Sequence, residues 1–250
     1  MTAKNFKLVR LLKRASLIIG CLFLLFVIYG LYAFLTVPDV SVLNKKIILP
    51  TAVMQSRLEI LKEKNPKSKI INTIKPLSSI SDNIKLAVIV SEDASFFDHD
   101  GFDWDELENS FEKNLTKGKF ARGGSTISMQ VSKNLYLSLS KNPLRKIHEY
   151  FITNELEDKL TKKRILEIYL NIAEWGPNGV FGIEAASRYH FNKSASDLTR
   201  LEAAKLAAIL PNPIKYSPNS TSKWFTKKVK HIVKLMDFYD SRYQNYLDIM

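Results

Sequence analysis

The hydrophobic positions divide the chain into one uninterrupted apolar run and a series of shorter segments with helical spacing. The run from Leu17 to Val37 contains 21 residues without a charge. At about 1.5 Å per residue, a helix of this length crosses a hydrocarbon core of roughly 30 Å. The run is longer than the h-region of a cleavable signal peptide, roughly 7–15 residues, and no A-x-A site follows it. The pattern therefore predicts an uncleaved transmembrane helix over residues 16–37, with a cleavable signal peptide as the alternative.

Charged residues flank this run asymmetrically. Before Asp39 the chain has no acidic residue, and it carries five basic ones: Lys4, Lys7, Arg10, Lys13 and Arg14. By the positive-inside rule, the N-terminal basic arm at residues 1–15 is expected in the cytoplasm. Everything after the apolar helix is then expected on the opposite side of the membrane, with a single crossing.

Beyond the apolar run, the chain shows helical spacing and helix caps. Residues 38–76 are interpreted as a connector with an early helix around Met54 to Lys64, and residues 77–250 as the main domain. Capping patterns place further helix starts at Ser81, Asp103 with Glu106, Asn142 with Pro143, Thr161, and Thr199 with Glu202. No convincing pair of alternating apolar strands is present. The predicted fold class is mainly α, as one domain behind one N-terminal transmembrane helix.

Composition narrows the class of protein. The 250 residues are 46% hydrophobic and carry 37 Lys and Arg against 25 Asp and Glu, which excludes a disordered chain. Without the five basic residues of the N-terminal arm, 32 basic residues face 25 acidic ones outside the cytoplasm. An anionic membrane surface or a phosphate-bearing lipid fits this balance better than nucleic acid does. A generally solvated basic surface is the alternative.

The stretch from Ser91 to Asp103 is not explained by the burial of a helix face. Two acids, Glu92 and Asp93, directly follow an apolar helix, and aromatic residues, a histidine and a glycine come next. Acids held in a cleft are candidates for proton transfer. Solvated acids, or acids that cap the next helix, are the alternative, and residue types alone favour that alternative.

The stretch from Arg122 to Asn134 combines a glycine-rich start with a polar helix. Ser125 and Thr126 open this helix, whose unpaired N–H groups and dipole favour an anion. Lys133 lies about two turns along it. An ordinary loop with a serine cap explains the same residues, and the G-K-[ST] element of a Walker A motif is missing.

The stretch from Lys141 to Glu149 places Arg145 and Glu149 four residues apart, on one helix face. A helix-stabilising ion pair is the alternative interpretation. Together the three stretches supply two carboxylates, an anion-binding helix start and several cations. This combination suits chemistry on a sugar whose leaving group is a phosphate, because one carboxylate can deprotonate a hydroxyl while cations neutralise the departing oxygen.

Sequence motifs between Ile80 and Ser217 resemble those of the peptidoglycan glycosyltransferases and occur in the same order. This family comprises the monofunctional biosynthetic transglycosylases and the matching domain of class A penicillin-binding proteins. The motifs contain Glu92, Asp93, Phe96, His99, Gly101 and Asp103; Gly123 to Ile127 with Gln130, Lys133 and Asn134; Arg145, Lys146 and Glu149; and Lys162, Ile165 to Glu167 and Tyr169 to Asn171. Met129, His190 and Asn192 depart from the residues usual in the family. A transpeptidase domain does not fit after Pro213, so the monofunctional form is expected.

The resemblance implies a lysozyme-like fold and a reaction on lipid II. The donor would be the growing glycan on undecaprenyl pyrophosphate and the acceptor the GlcNAc 4-hydroxyl of lipid II, giving a β-1,4 link with inversion. Glu92 is then the expected general base, and Glu149 the carboxylate that assists the leaving pyrophosphate. The expected substrate and pyrophosphate contacts are Ser125, Gln130, Lys133, Asn134, Lys141, Arg145 and Lys146. The expected supporting residues are Asp93, Phe96, His99, Asp103, Gly123, Gly124 and Thr126.

Cofactors, partners and location follow from the same resemblance. No cofactor is required, although a divalent ion, Mg or Mn, at the pyrophosphate is left open. The four histidines form no metal-ligand pattern, so no protein metal site is predicted. The expected partners are lipid II, the growing glycan chain, the membrane and other cell-wall synthesis proteins, without nucleic acid. The expected location is the bacterial cytoplasmic (inner) membrane, with the catalytic domain on the extracytoplasmic, periplasmic side.

Two other functions are compatible with these residues. Paired carboxylates also serve a lysozyme-like hydrolase that cuts glycan strands. The cations around Glu149 argue against a hydrolase, since such an enzyme has no pyrophosphate to neutralise. A non-catalytic membrane scaffold with the same fold would tolerate Glu92→Gln, whereas a synthase would lose turnover.

Overall fold

The computed structural model describes residues 3–117, 124–140 and 142–249, with side chains at 11–110, 124–140 and 142–246. This described part of the chain is mainly helical, as predicted. Its helices are α1 (Ala3–Leu35), α2 (Ala52–Lys64), α3 (Asp82–Glu92), α4 (Trp104–Lys117), α5 (Ile127–Tyr136), α6 (Arg145–Lys159), α7 (Lys162–Ile172), α8 (Ile183–Phe191), α9 (Arg200–Ile209) and α10 (Lys223–Ile249). Two short strands, β1 (Glu174–Gly176) and β2 (Val180–Phe181), lie between α7 and α8.

Helix α1 is long and apolar enough to cross a membrane. Its apolar part, Leu11–Leu35, holds 25 residues and spans about 37 Å at 1.5 Å per residue, with nearly all of its side chains exposed. The helix begins at Ala3, so the basic arm and the predicted transmembrane segment form one continuous helix. It ends shortly before Pro38, because a proline disfavours helical backbone at the preceding residue.

The segment 38–76, expected as a connector, packs into the domain. Leu43, Val53 and Met54 are buried in the core, and α2 lies against α5. Farther along, the N–H of Ile71 donates to the Gly179 carbonyl at 2.8 Å, and the N–H of Phe181 donates to the Ile71 carbonyl at 2.9 Å. The segment forms part of the core, and its buried apolar residues are thereby removed from water.

Two groups of packed helices build the core. In one group α3, α9 and α10 pack against one another, and in the other α5 packs against α2, α6 and α7. Every residue of α3 from Ile84 to Val90 is buried, so this helix is enclosed on all sides. Its last residue, Glu92, therefore lies at the edge of the core, where its side chain contacts α5 of the second group.

The strands β1 and β2 correct the expectation that strand pairs are absent. They form an antiparallel hairpin in which Glu174 pairs with Phe181 and Gly176 with Val180. Asn178 and Gly179 have φ of 62° and 76°, the left-handed backbone that an Asn-Gly pair adopts at a hairpin turn. Strands of three and two residues are too short to show alternation, so only the Asn-Gly dipeptide could have indicated this hairpin.

Most predicted helix caps are present. The side chains of Ser81 and Thr161 cap α3 and α7, Asp103 accepts from the N–H of Glu106 at the start of α4, and Thr199 with Glu202 forms a full capping box on α9. The exception is α6, which starts at Arg145 with Leu144 in the N-cap position. Asn142 Oδ1 accepts instead from the N–H of Leu144 at 3.0 Å, because an Asx turn competes with helix capping.

Candidate active site

Glu92 is held by a fixed amide. Gln130 Nε2, on α5, donates to Glu92 Oε2 at 3.1 Å, and the oxygen of the same amide accepts from the Tyr169 hydroxyl at 3.2 Å. Tyr169 is fully buried, and burial raises the pKa of its phenol well above the ordinary value, so the hydroxyl keeps its proton and remains a donor. The phenol thereby turns the amide N–H toward Glu92.

The environment of Glu92 makes its carboxylate a stronger base. Burial raises the pKa of this partly buried carboxyl, and the neighbouring Asp93 adds to the rise. The hydrogen bond from Gln130 and the charges of Lys228 and Lys133 act in the opposite direction without cancelling the rise. A carboxylate with a raised pKa accepts a proton from a hydroxyl more readily, as a general base must.

Asp93 ties the loop after α3 to the start of α5. Its Oδ2 accepts from the N–H of Ile127, the first residue of α5, at 2.9 Å, and its Oδ1 lies 2.9 Å from His99 Nε2. The N–H of Gly101 donates to His99 Nδ1 at 3.1 Å, so Nε2 carries the proton that bonds Asp93. A buried carboxylate at a helix N-terminus is further stabilised by the helix dipole.

A second set of contacts closes the same loop. Asp103 accepts hydrogen bonds from Ser95 and from the N–H of Glu106. Burial opposes ionisation of Asp103, whereas these two hydrogen bonds favour it, and the net result is a lowered pKa of the carboxyl. Thr126 Oγ1 donates to the Gly101 carbonyl at 2.7 Å, and Gly101 has φ of 91°, where a side chain is strained.

Phe96 anchors this loop in the core. Its side chain is fully buried, and Lys162 Nζ lies 4.8 Å from its ring centroid. Lys162 also donates to Glu157 at 2.7 Å, and Glu157 accepts from Ser128 on α5. These contacts join the loop to α5, α6 and α7.

Glu149 lies in a cluster of cations. Its side chain is only 1% exposed, and it accepts from Arg145 Nη1 at 2.8 Å and from Lys146 Nζ. Lys146 Nζ also donates to Ser125 Oγ at 3.2 Å, which connects α6 to the residues before α5. Both carboxylate oxygens of Glu149 are therefore engaged by positive charge.

Lys133 lies in the field of both carboxylates. Burial lowers the pKa of its ammonium, as do the charges of Arg145 and Lys146, whereas Glu149 and Glu92 act in the opposite direction. Its Nζ forms no hydrogen bond or ion pair with the described residues. A half-buried cation without a direct partner is available to an anionic ligand.

Four predicted site residues remain: Lys141, Gly123, Gly124 and Asn134. Lys141 and Gly123 lie outside the described residues. Gly124 is closely packed, since a Cβ there would come 2.9 Å from Leu107 Cδ2. Asn134 is buried on α5, and its side-chain amide forms no hydrogen bond with the described residues.

Comparison with known proteins places this sequence in a family. A family model described as Transglycosylase matches residues 59–237. A biosynthetic peptidoglycan transglycosylase of Nitrosospira multiformis is 50% identical over 186 residues, which is 74% of this chain and 80% of the relative. The protein of the same name from Chromobacterium violaceum is 50% identical over 188 residues, 75% of this chain and 82% of the relative. The chain belongs to the transglycosylase family.

In this transglycosylase, the predicted site residues come from separate elements. Glu92 ends α3, Gln130 and Lys133 lie on α5, and Glu149 lies on α6 with its cations. Hydrogen bonds link α3 to α5 and α6 to Ser125. The domain is lysozyme-like and mainly α, with its acids at the junction of the two helix groups.

The transglycosylase site also contains charged residues that sequence reasoning did not single out. Arg57 on α2 forms a two-pronged ion pair with Glu174 on β1, at 2.7 and 2.8 Å. Burial raises the pKa of Glu174, against the opposing charges of Arg57 and Lys133. The positive charge of Lys228 on α10 similarly acts to lower the pKa of Glu92. Arg57 and Glu174 lie 117 positions apart, so no local spacing could have paired them.

Proposed function

We propose that this transglycosylase polymerises the glycan chains of peptidoglycan. The donor is the growing glycan on undecaprenyl pyrophosphate, and the acceptor is the GlcNAc 4-hydroxyl of lipid II. Glu92 removes the hydroxyl proton as the oxygen forms its bond to the anomeric carbon of the donor. The bond from that carbon to the pyrophosphate breaks, and the pyrophosphate leaves with the electron pair. Attack opposite the leaving group gives a β-1,4 link with inversion. The names of the 50% identical relatives support this assignment.

The observation that carries the proposal is the contrast between the two carboxylates. Glu92 has a raised pKa and forms no ion pair with any described residue. Glu149 is bonded to two cations and is almost fully buried. A carboxylate of the first kind is suited to proton abstraction. A carboxylate of the second kind fixes the positions of the cations around it, here Arg145 and Lys146.

These cations favour glycosyl transfer from a pyrophosphate donor over hydrolysis of a glycan. As the bond to the donor breaks, negative charge grows on the pyrophosphate oxygens, and fixed cations stabilise that charge. Lys133, Arg145 and Lys146 act in one another's electrostatic field, and Lys133 has no direct partner among the described residues. A lysozyme-like hydrolase has no comparable charge to neutralise.

The described residues offer a divalent ion few ligands of their own. Mg²⁺ commonly binds through water, one or two carboxylates and the phosphates of a substrate, so a pyrophosphate would have to supply most of its ligands here. Both oxygens of Glu149 are engaged by Arg145 and Lys146. In the part of the chain that the structure describes, no group of three His, Cys, Asp or Glu side chains lies close enough to hold a metal. In this proposal the side-chain cations neutralise the leaving group, and an ion carried by the pyrophosphate itself would add to them.

The apolar helix supports a location at the membrane. We infer that α1 crosses the bacterial cytoplasmic membrane once, with the N-terminus in the cytoplasm, because the basic residues precede the apolar part. The domain then lies on the extracytoplasmic side, where it meets a substrate that stays in the bilayer. Anchoring both partners in one membrane raises their effective concentration.

Incubation of the detergent-purified full-length protein with lipid II tests the function. We expect long glycan polymers, with a loss of at least about 100-fold in rate for Glu149→Gln, since a displaced cation cluster weakens transition-state stabilisation. A chelator and added Mg or Mn report any ion dependence. Release of fragments from preformed glycan would instead support the hydrolase, and lipid II binding without any product would support the scaffold.

A further inference from the structure

The end of α1 nearest the domain packs against α6, and His148 of α6 makes the polar contacts. Tyr29 Oη lies 3.0 Å from His148 Nδ1, and Thr36 Oγ1 lies 3.1 Å from His148 Nε2. The rings of Tyr29 and Tyr32 meet the imidazole edge to face, with centroids 5.4 and 5.5 Å away. One side chain of the domain is therefore bonded at both of its nitrogens to the anchor.

The hydrogen bonds around His148 form a consistent set. Thr36 Oγ1 donates its only proton to the Tyr32 carbonyl at 2.7 Å, so it accepts the bond from His148 Nε2. Nδ1 of the neutral imidazole is then the acceptor for the Tyr29 hydroxyl. Each donor has an acceptor. Because hydrogen bonds depend on direction, this set fixes the orientation of His148 relative to α1.

The anchor residues concerned share one face of α1. Tyr29, Tyr32 and Thr36 are spaced by three and four residues, which places them above one another on a helix. Ala33 on the same stretch is fully buried, and Phe34 meets Phe151 of α6 edge to face at 5.6 Å. The outer end of α1 is thus held against α6 by side-chain contacts, in addition to the covalent link through residues 36–40.

Helix α6 is also the helix that carries the cation cluster. His148 is adjacent to Glu149 and three residues from Arg145, a distance of about 4.5 Å along the helix axis. A shift of α6 relative to α1 therefore moves the cluster relative to the bilayer by a similar amount. A substrate held by a lipid tail presents its phosphates at a fixed height, so this offset matters for a membrane-bound substrate.

We propose that His148 is a positioning residue that fixes the height and orientation of the cation cluster relative to the membrane through its bonds to Tyr29 and Thr36. This inference rests on the proposed function, because it concerns access to a lipid-linked pyrophosphate. Val40 and Leu43 fix the following connector to the core, so only the short link from Thr36 to Val40 would leave the height and tilt of the domain against α1 free. The bonds to His148 remove that freedom.

The test compares two substrates of the full-length protein reconstituted in vesicles. One is lipid II carried in the same vesicles, and the other is a water-soluble lipid II with a short prenyl chain. Tyr29→Phe removes one oxygen that bonds His148. Tyr32→Phe is the matched control, since it keeps a ring against His148 and removes a hydroxyl without a hydrogen-bond partner among the described residues.

We expect Tyr29→Phe to lower kcat/KM about fivefold on vesicle-borne lipid II, the size of one lost hydrogen bond, and to change the soluble substrate less than twofold. His148→Ala should lower the vesicle rate further, and Tyr32→Phe should leave the ratio of the two rates unchanged. Equal losses on both substrates, or equal effects of Tyr29→Phe and Tyr32→Phe, would overturn the inference. If His148→Ala fails to fold, the two Tyr→Phe variants decide. A wild type that polymerises neither substrate would reject the proposed function itself.

Discussion

Gln130 Nε2 donates a hydrogen bond to Glu92 Oε2 at 3.1 Å across the junction of α5 and α3. The Tyr169 hydroxyl fixes the other end of the same amide. The bond stabilises the charged form of Glu92 against the burial that raises its pKa. Burial therefore raises the proton affinity of the proposed base, and a residue on a different helix limits that rise.

Removal of this bond should shift the pH dependence of catalysis. The base acts only as a carboxylate, so activity falls as the pH drops through the raised pKa of Glu92. In Gln130→Ala that pKa rises further, and the acidic limb of kcat/KM moves to higher pH. The measurement is the pH profile of lipid II polymerisation. Tyr169→Phe, which frees the amide without removing it, should give a smaller shift in the same direction. An acidic limb that stays in place in both variants would contradict this role of Gln130.

The two cations on Glu149 should contribute unequally to stability. Arg145 is 20% exposed and Lys146 48%, so water screens the bond from Lys146 more strongly. We expect Arg145→Ala to lower the free energy of unfolding by about 1–3 kcal/mol, because it leaves a buried carboxylate with one partner fewer. Lys146→Ala should have the smaller effect.

Thermal unfolding of the full-length protein in detergent ranks these variants. Lys159→Ala is a suitable control, since Lys159 and its ion-pair partner Asp158 are both well exposed and the melting temperature should change little. Arg145→Ala and Lys159→Ala variants of equal stability would show that the Glu149 cluster does not stabilise the fold.

Gly101 should tolerate no side chain. Its φ is 91°, and a Cβ would lie 3.0 Å from both Glu157 Cγ and Thr153 Cγ2. Gly101→Ala is expected to destabilise the protein by about 1–3 kcal/mol through backbone strain and crowding. Gly30→Ala adds the same methyl group to α1, where nothing lies within 4 Å, and should leave the melting temperature unchanged. Similar melting temperatures for both variants would refute the strain argument.

Asp93→Asn should loosen the start of α5. The neutral amide has one acceptor oxygen, so it cannot serve both the Ile127 N–H and His99 Nε2, and it loses the favourable charge at the helix N-terminus. We expect a loss of about 1–2 kcal/mol in stability. Hydrogen exchange followed by mass spectrometry should show faster exchange at the first turn of α5. Unchanged exchange there would mean that other contacts hold this helix start.

Local features were predictable from the sequence, whereas long-range pairings were not. Caps such as those at Ser81 and Thr161 follow from neighbouring residues. The burial of residues 38–76 depends on partners far along the chain, such as the contacts of Ile71 with the β1–β2 hairpin. The carboxylates could be named from their motifs, but the pairing of Arg57 with Glu174 could not, because only the fold brings them together.

The most direct test of the central claim is the polymerisation of lipid II by Glu92→Gln beside the wild type, with lipid II binding measured on the same preparations. The change removes the base and keeps the shape of the side chain. We predict that the variant binds lipid II as tightly as the wild type and forms no polymer. Polymerisation by Glu92→Gln at the wild-type rate would contradict the assignment of Glu92 as the general base.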